Sequence, residues 1–179
     1  MVKEIRVYVE GGGDKDSKAD LRRAFSNFLG SLRDEARRRR IGWSVIACGS
    51  RSDAFTNFRV ALEQHKNALN LLLVDSEGPV SRTPREHLIA RDGDAGYLAS
   101  VSETQCHLMV QAMEAWIIAD PEALAAFYGQ GFAANALPKT KDIEQIAKET
   151  LVPSLTRATR DSKSENTTRR AMHHCSSNS

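Results

Sequence analysis

Four short, mostly apolar runs, the first two rich in β-branched and aromatic residues, alternate along the chain with segments whose apolar residues recur at every third or fourth position. The runs are Ile5–Val9, Trp43–Ala47, Leu69–Val74 and Thr104–Val110. Such runs predict strands, and the three-to-four spacing predicts amphipathic helices. Because the two kinds of segment alternate, we expect an α/β fold with a central parallel sheet of about four strands flanked by helices.

The helices are less sharply bounded than the strands. Ser17 or Asp16 is expected to cap a first helix that reaches about Arg40, because polar residues of this kind precede a periodic apolar segment. Further helices are expected after the turn at residues 49–53 and over residues 113–119, 120–128, 142–150 and 153–159, with Asp120 as the cap of the helix at 120–128. Residues 80–102 are expected to form a loop with a short helix.

Two of the predicted strands end at acidic residues. Glu10 and Asp14 lie in the turn after the first strand, and Asp75 and Glu77 follow the third. Ligands of parallel α/β sheets bind at the carboxyl ends of the strands, so neighbouring strands would bring these carboxylates together. Close like charges repel unless a cation lies between them, and oxygen ligands suit Mg²⁺ or Mn²⁺. The alternative is an acidic surface turn in which Asp14 caps the next helix.

Five residues near the same end of the sheet are candidates for binding phosphate. Gly11, Gly12 and Gly13 permit positive φ angles and a close approach of the backbone to a ligand. Ser50 and Arg51 follow the second strand, where an arginine could bind phosphate through its fork of donors. The alternative for this pair is a capped turn with a solvated arginine.

Three residues in the second half of the chain are weaker candidates. Glu114 lies in an apolar segment after the fourth strand, either near the metal or exposed on one helix face. Lys139 and Lys141 either reach the phosphate or remain in solvent.

A basic cluster, Arg33 with Arg37–Arg40, is better explained as a solvated helix end than as a nucleic-acid contact, because cations suit a helix C-terminus.

The composition bounds the class of protein. The chain has 179 residues, 41% hydrophobic and 27% charged, and a net charge of +2 that does not indicate a nucleic-acid partner. Its three cysteines match no zinc pattern. No apolar stretch approaches the roughly 18 residues that span a membrane, and charges interrupt the N-terminal apolar run. We therefore expect a cytoplasmic protein without membrane contact.

The segments VYVEGGGDKD and LLLVDSEGPV resemble the two acidic motifs of Toprim domains, which occur in topoisomerases, primases and overcoming-lysogeny-defect nucleases. The second motif is Asp-x-Asp in that superfamily, and Glu77 stands in its third place here. The resemblance implies a Rossmann-like Toprim fold. It also implies that Glu10 is a general acid/base or metal ligand and that Asp75 and Glu77 hold Mg²⁺. Asp14 is a fainter match to a further acid of some Toprim nucleases.

A closer resemblance is to the bacterial domain-of-unknown-function family 4276, which is Toprim-like. The segments that carry it cover most of residues 5–150: VYVEGGGD, CGSRSDAF, LLLVDSEGPV, HLMVQAMEAWIIAD, YGQGF and ALPKTKDIEQIAK. Members often lie beside ATPases of the SMC/ABC type in settings that point to phage defence. The resemblance therefore implies an ATPase partner and a nucleic-acid substrate, either DNA or RNA.

These observations favour a Mg²⁺-dependent phosphodiester-cleaving subunit in which Glu10, Asp75 and Glu77 are catalytic. The alternatives are a nucleotide- or phosphate-binding module that uses the glycine turn as an anion nest, and a non-catalytic adaptor. Aromatic residues are also dense around Trp116, Phe127, Tyr128 and Phe132. Part of that stretch is expected to bury against a homodimer mate or the ATPase, although packing on the chain's own sheet explains it equally well.

The final segment, Ser164–Ser179, has no apolar periodicity and is rich in serine, asparagine and threonine, so we expect residues 1–163 to form the domain. Members of the resembled family usually continue here with a segment like Tyr-His-Lys-Thr-x-His-Ala-Pro. One permitted set of codons for Ser164–Cys175, read in another frame, encodes a similar segment. We therefore expect a frameshift, natural or introduced, which removes a lysine able to stabilise phosphate charge and leaves a chain that binds metal but cleaves weakly or not at all.

Overall fold

The structure is a computed structural model that describes residues 2–91, 93–140 and 142–162, so the tail at 164–179 and Lys141 lie outside the described residues. The strands are β1 (Glu4–Glu10), β2 (Gly42–Gly49), β3 (Ala68–Asp75) and β4 (Cys106–Met109), and the helices are α1 (Lys15–Phe28), α2 (Gly30–Arg38), α3 (Arg51–Gln64), α4 (Pro84–Arg91), α5 (Met113–Ile118), α6 (Pro121–Tyr128) and α7 (Lys148–Thr159). Backbone contacts group residues 2–74 with 83–107 in one unit, and residues 75–82 with 108–162 in a second.

The four strands form one parallel sheet in the order β2-β1-β3-β4. β1 pairs in parallel with β2 on one side and with β3 on the other. Three consecutive residues are buried in each of the two inner strands, at 7–9 in β1 and at 72–74 in β3. Successive side chains of a strand point to opposite faces, so both faces of the sheet are covered. The predicted α/β class with a parallel sheet of four strands is confirmed.

The strand register aligns the carboxyl ends of β1, β2 and β3. Val9 pairs with Ala47 of β2 and with Leu73 of β3, and Glu10 is opposite Gly49 after a register shift. Glu10 and Asp75 are therefore the last residues of two neighbouring strands that run in the same direction. The edge predicted from sequence to hold the ligand is the edge at which these two acids lie.

The first predicted helix is two helices. α1 ends at Phe28, the ψ of 23° at the next residue, Leu29, leaves the helical range, and α2 starts at Gly30. Glycine in a helix interior is unfavourable by about 1 kcal/mol relative to alanine, so the break falls where continuation is weakest. The cap is also different from the expected Ser17 or Asp16, because Asp14 accepts a hydrogen bond from the Ser17 amide at 2.8 Å.

The basic end of α2 has its own acidic partners. Arg37 is paired with Asp34, and Arg38 and Arg39 are both paired with Glu35. These contacts lie on an exposed helix surface, where ion pairs contribute little to stability. They fit the expected solvated helix end.

α3 covers one face of β1. Ala54, Phe58 and Ala61 recur along it at intervals of four and three, and all three are buried. The ring of Phe58 packs edge-on against Tyr8 of β1 at 6.1 Å between ring centres. This contact holds α3, and with it the start of the helix at Arg51, against the central strand.

Two segments after β3 lie close to their predicted places. α4 and a 3₁₀ helix at Gly93–Ser100 fill the segment expected to be a loop with a short helix, and they bury Leu88 and Leu98. β4 is shorter than the predicted run because a 3₁₀ turn at Glu103–Gln105 precedes it. Ser102 and Gln105 close that turn as a capping box, which ends the extended segment.

The second unit has a helical core of its own. α6 starts at Pro121 and is capped by Asp120, as predicted. The core residues of the second unit come from α5, α6, α7 and the segments next to them: Ala112, Ala115, Ile118, Leu124, Tyr128, Leu137, Ile146, Leu151, Leu155 and Ala158. These helices therefore bury apolar surface against one another.

The prediction of two short helices at the end of the domain is wrong. The structure has a 3₁₀ turn at Ile143–Gln145 followed by the single helix α7, which contains Pro153. Proline removes one hydrogen-bond donor from a helix interior. Leu151, Leu155 and Ala158 are nevertheless fully buried at intervals of four and three, and their packing keeps the helix continuous across the proline.

The aromatic stretch of the second unit is partly internal. Tyr128 is buried, and its ring stacks on Phe132 with the ring centres 5.5 Å apart. Phe127 packs edge-on against Tyr128 but is 63% exposed, and Trp116 is partly buried. Two of the four rings thus serve the unit's own core, and burial of the others against a second subunit stays a prediction.

Candidate metal centre

Three acids predicted to form a site come together in the structure. Glu10, Asp75 and Glu77 each offer a carboxylate oxygen, and these three oxygens lie within 4.8 Å of one another. Asp75 is buried, and the side chains of Glu10 and Glu77 are only 16% and 22% exposed. Carboxylates this close and this shielded repel one another unless positive charge lies among them.

The group fits a small divalent cation. Oxygen ligands lie about 2.1 Å from Mg²⁺, so ligands on opposite sides of the ion are about 4.2 Å apart. The observed limit of 4.8 Å is slightly wider. Rotation of a carboxylate about its terminal torsion, which is broad, closes such a gap. Three carboxylates also leave coordination positions for water or a phosphate oxygen, which Mg²⁺ and Mn²⁺ both accept.

Asp75 is held by the backbone of the second unit. One of its carboxylate oxygens accepts a hydrogen bond from the Met113 amide at 2.9 Å. Met113 is the first residue of α5, where amides have no partner within the helix. The contact therefore gives the Met113 amide a hydrogen-bond acceptor and also fixes the orientation of the Asp75 carboxylate.

Glu77 is presented by an unusual backbone conformation. Its φ angle is +61°, in the left-handed region that residues with a side chain adopt at a cost of about 1 kcal/mol or more. The Glu77 amide donates to the carbonyl of Gln111 at 2.9 Å, and the Ser76 amide donates to Met109 at 3.0 Å. The Ser76 hydroxyl also donates to the Gly78 carbonyl at 2.6 Å. These bonds hold the turn and aim the glutamate.

Lys148, which sequence reasoning did not single out, is the cation beside this glutamate. Its ammonium donates to Oε1 of Glu77 at 2.5 Å. Burial alone would lower the pKa of Lys148. Its hydrogen bond to Glu77, and the negative charges of Glu77, Asp75 and Glu114, outweigh that effect, so the pKa of this lysine is raised above its ordinary value. The only signal was its place as the last residue of the segment ALPKTKDIEQIAK, where Lys139 and Lys141 drew attention instead.

Glu114 is buried in the first turn of α5, with only 3% of its surface exposed. Of the two alternatives left open by the sequence, exposure on a helix face is therefore excluded. Its charge acts on Lys148 but it is not one of the three acids whose oxygens cluster. Its assignment as a metal ligand stays a prediction.

The glycine-rich turn packs against its own helix. Gly11 and Gly12 have φ angles of +122° and +81°, and a Cβ at Gly12 would lie 2.9 Å from the backbone of Lys18. Gly11 also exchanges two backbone hydrogen bonds with Gly49. Asp14 caps α1, as the alternative interpretation had it. The space left by these glycines is thus filled by the chain itself, and phosphate binding at Gly11, Gly12 and Gly13 stays a prediction.

Ser50 and Arg51 divide between the two interpretations made from sequence. Ser50 caps α3, accepting from the Asp53 amide, and its own hydroxyl donates to Asp53. Arg51 is not a solvated side chain, because it is 18% exposed and donates to Oε2 of Glu10 at 3.2 Å. Its guanidinium also lies over the ring of Phe55. Arg51 therefore brings a fixed positive charge to the first of the three acids.

The remaining candidates are less informative. Lys139 is exposed, and Lys141 lies outside the part of the chain that the structure describes. Cys48 and Cys106 are buried, and burial raises the pKa of each thiol to about 11. Both thiols are therefore protonated at neutral pH, which makes them poor metal ligands and poor nucleophiles.

Comparison with known proteins adds a family and no activity. The model of a family described as a domain of unknown function (DUF4276) matches residues 9–173. No curated protein and no solved structure matches the chain. Within residues 2–91, 93–140 and 142–162, none of the helices is both long and apolar enough to cross a membrane.

Proposed function

The chain belongs to the family of domains of unknown function DUF4276, and we propose that it is a Mg²⁺-dependent phosphodiester-cleaving subunit that acts on nucleic acid. The observation that carries this proposal is the group formed by Glu10, Asp75 and Glu77 at the carboxyl ends of β1 and β3. Clustered carboxylates at this edge of a parallel sheet are suited to a divalent cation and a phosphate.

Each residue of the group has a role in the proposal. Asp75 and Glu77 would hold Mg²⁺ or Mn²⁺, since one is fixed by the Met113 amide and the other by its turn. Bound Mg²⁺ would offset the negative charge that develops on the phosphoryl group. Glu10 would accept a proton from water, whose oxygen then bonds to phosphorus while the ester oxygen leaves and takes up a proton.

The charges around the group support this assignment. Arg51 contacts the carboxylate of Glu10, and Lys148 contacts the carboxylate of Glu77. Arg51 holds Glu10 in place through its ion pair at 3.2 Å. This leaves the guanidinium next to the residue that would handle the proton.

A nucleotide-binding module has less support. The N-termini of α1 and α3 are capped by Asp14 and by Ser50 with Asp53, so carboxylates lie where an anion would bind. The Gly11 amide is already bonded to Gly49. An ATPase partner of the SMC/ABC type and a role in phage defence belong to the proposal through the family resemblance alone.

A cleavage assay tests the proposal. The chain, alone and mixed with an SMC/ABC-type ATPase as the proposed partner, should cut DNA or RNA at least weakly in Mg²⁺ or Mn²⁺ and not in EDTA. Combined replacement by Glu10→Gln, Asp75→Asn and Glu77→Gln should abolish cutting, and the exposed control Glu63→Gln should not change it. Cutting by the triple variant would refute the assignment, and nucleotide binding without metal would favour the module instead.

A further inference from the structure

Lys148 contacts one carboxylate oxygen of Glu77, a residue proposed above as a metal ligand. Its ammonium is 2.5 Å from Oε1 of Glu77, and the two side chains are 31% and 22% exposed. The charges of Asp75 and Glu114 also act on it. The ammonium of Lys148 is thus bonded directly to a glutamate that is proposed as a metal ligand.

The rest of Lys148 is positioned independently of this contact. It is the first residue of α7, and that helix is anchored further along by Leu151, Leu155 and Ala158, which are fully buried. A lysine side chain has four rotatable methylene groups between its backbone and its charge. The ammonium can therefore leave Glu77 by side-chain rotation while α7 stays packed.

We propose that Lys148 is a resident counter-ion that a divalent metal displaces from Glu77, a proposal that rests on the function proposed above. Before metal binds, the ammonium neutralises Glu77 and holds its carboxylate toward Asp75. Metal binding exchanges one positive charge on Glu77 for two. The released ammonium stays tethered beside the centre, where it is a donor for an anionic phosphate oxygen.

The exchange has a consequence that a purely structural ion pair does not have. A cation that must be displaced competes with the metal, so the wild-type chain binds metal more weakly than the same site without the lysine. If Lys148 only kept Glu77 in position, its removal would free the carboxylate and weaken metal binding or leave it unchanged. Only the counter-ion role therefore predicts tighter metal binding when Lys148 is removed.

Metal titration of Lys148→Met separates these roles. Mn²⁺ binding to the full chain is measured by calorimetry, with Mg²⁺ as competitor, and thermal unfolding is followed in EDTA and in Mn²⁺. We expect Lys148→Met to bind Mn²⁺ about tenfold more tightly, because a local positive charge is lost. In EDTA it should unfold at a lower temperature than wild type, and Mn²⁺ should raise its unfolding temperature by more.

Matched variants make every outcome decisive. Lys66→Met, which removes an exposed lysine just before β3, should leave affinity and stability unchanged. Lys148→Gln, which keeps a hydrogen-bond donor, replaces Lys148→Met if the latter does not fold, and it should also bind Mn²⁺ more tightly. Adding Glu77→Gln to either Lys148 variant should abolish the gain.

The results that would overturn the proposal are equally specific. Equal or weaker Mn²⁺ binding by both Lys148 variants would exclude the counter-ion role while leaving the metal-dependent function intact. If neither wild type nor variant binds Mn²⁺ or Mg²⁺, both proposals fail together. Tighter binding that persists in the Glu77→Gln background would place the metal elsewhere and also exclude the exchange.

Discussion

Two turns present the acids of the candidate centre, and they do so by different physical means. The turn at Glu10–Asp14 bends through glycines with positive φ angles, and the glutamate itself is the last residue of a strand. The turn at Asp75–Gly78 bends at Glu77 itself, whose left-handed conformation is held by backbone hydrogen bonds. In the first turn the positive φ angles belong to the glycines that follow Glu10. In the second turn the positive φ angle belongs to Glu77, the proposed metal ligand itself.

The cations next to the two glutamates differ in how firmly their side chains are held. Arg51 contacts Glu10 at 3.2 Å and is also held over the ring of Phe55. Lys148 contacts Glu77 at 2.5 Å through a flexible chain. A guanidinium is planar and presents a rigid fork, whereas an ammonium is a point charge on a mobile stem. The comparison indicates a fixed arrangement at Glu10 and an exchangeable one at Glu77.

The largest expected effect separates the two glutamates by function. Glu10→Gln should reduce Mg²⁺-dependent cleavage by about 1000-fold or more, the scale of a lost general base, while Mn²⁺ affinity falls only modestly. Glu77→Gln should abolish cleavage because metal binding itself is lost. Calorimetry beside the cleavage assay checks this difference. Equal losses of metal affinity in both variants would show that Glu10 binds the metal as directly as Glu77 does.

The second effect separates the two turns by stability. Gly12→Ala should lower the free energy of unfolding by about 2–3 kcal/mol, because the new Cβ meets the Lys18 backbone at 2.9 Å and φ is +81°. Gly78→Ala is the matched control, since a Cβ there has no neighbour within 4 Å. Urea denaturation of the two variants measures the difference. Similar stabilities would mean that the first turn does not depend on its glycine.

A smaller effect concerns the fixed cation. Arg51→Lys keeps the charge beside Glu10 but loses the planar fork and its place over Phe55, so cleavage should fall by about tenfold. Mn²⁺ affinity should stay at the wild-type value. Cleavage rates at saturating metal, compared with titrations, measure both. A marked rise in metal affinity would instead make Arg51 a displaceable cation like the one at Glu77.

The smallest effect concerns Asp14, which sequence reasoning considered as a metal ligand and as a helix cap. Asp14→Ala should destabilise the chain by about 1 kcal/mol, because the Ser17 amide at the start of α1 loses its acceptor. Metal affinity should not change if capping is its role. Asp14→Ser, which preserves a cap, should recover the stability. Loss of Mn²⁺ binding in both variants would restore Asp14 to the metal site.

The sheet and its acidic edge could be predicted from the sequence because they depend on local patterns. An apolar run followed by an acid marks the end of a buried strand, and this placed Glu10 and Asp75 before any contact was known. Lys148 follows no motif, and its role depends on α7 folding back to the turn that carries Glu77 within the second unit. The continuity of α7 through Pro153 was missed for a related reason, since it depends on tertiary burial rather than on helix propensity.

The left-handed backbone of Glu77 has an evolutionary consequence. Aspartate adopts this conformation more readily than glutamate, so an aspartate here would relieve strain in the turn. It would also retract the carboxylate by one methylene group and draw it away from Lys148. The residue at position 77 must therefore balance the length of its side chain against the strain of its backbone. A related protein with aspartate at position 77 is expected to differ at position 148 as well. Correlated substitution of residues 77 and 148 among related sequences would show that the two side chains depend on each other.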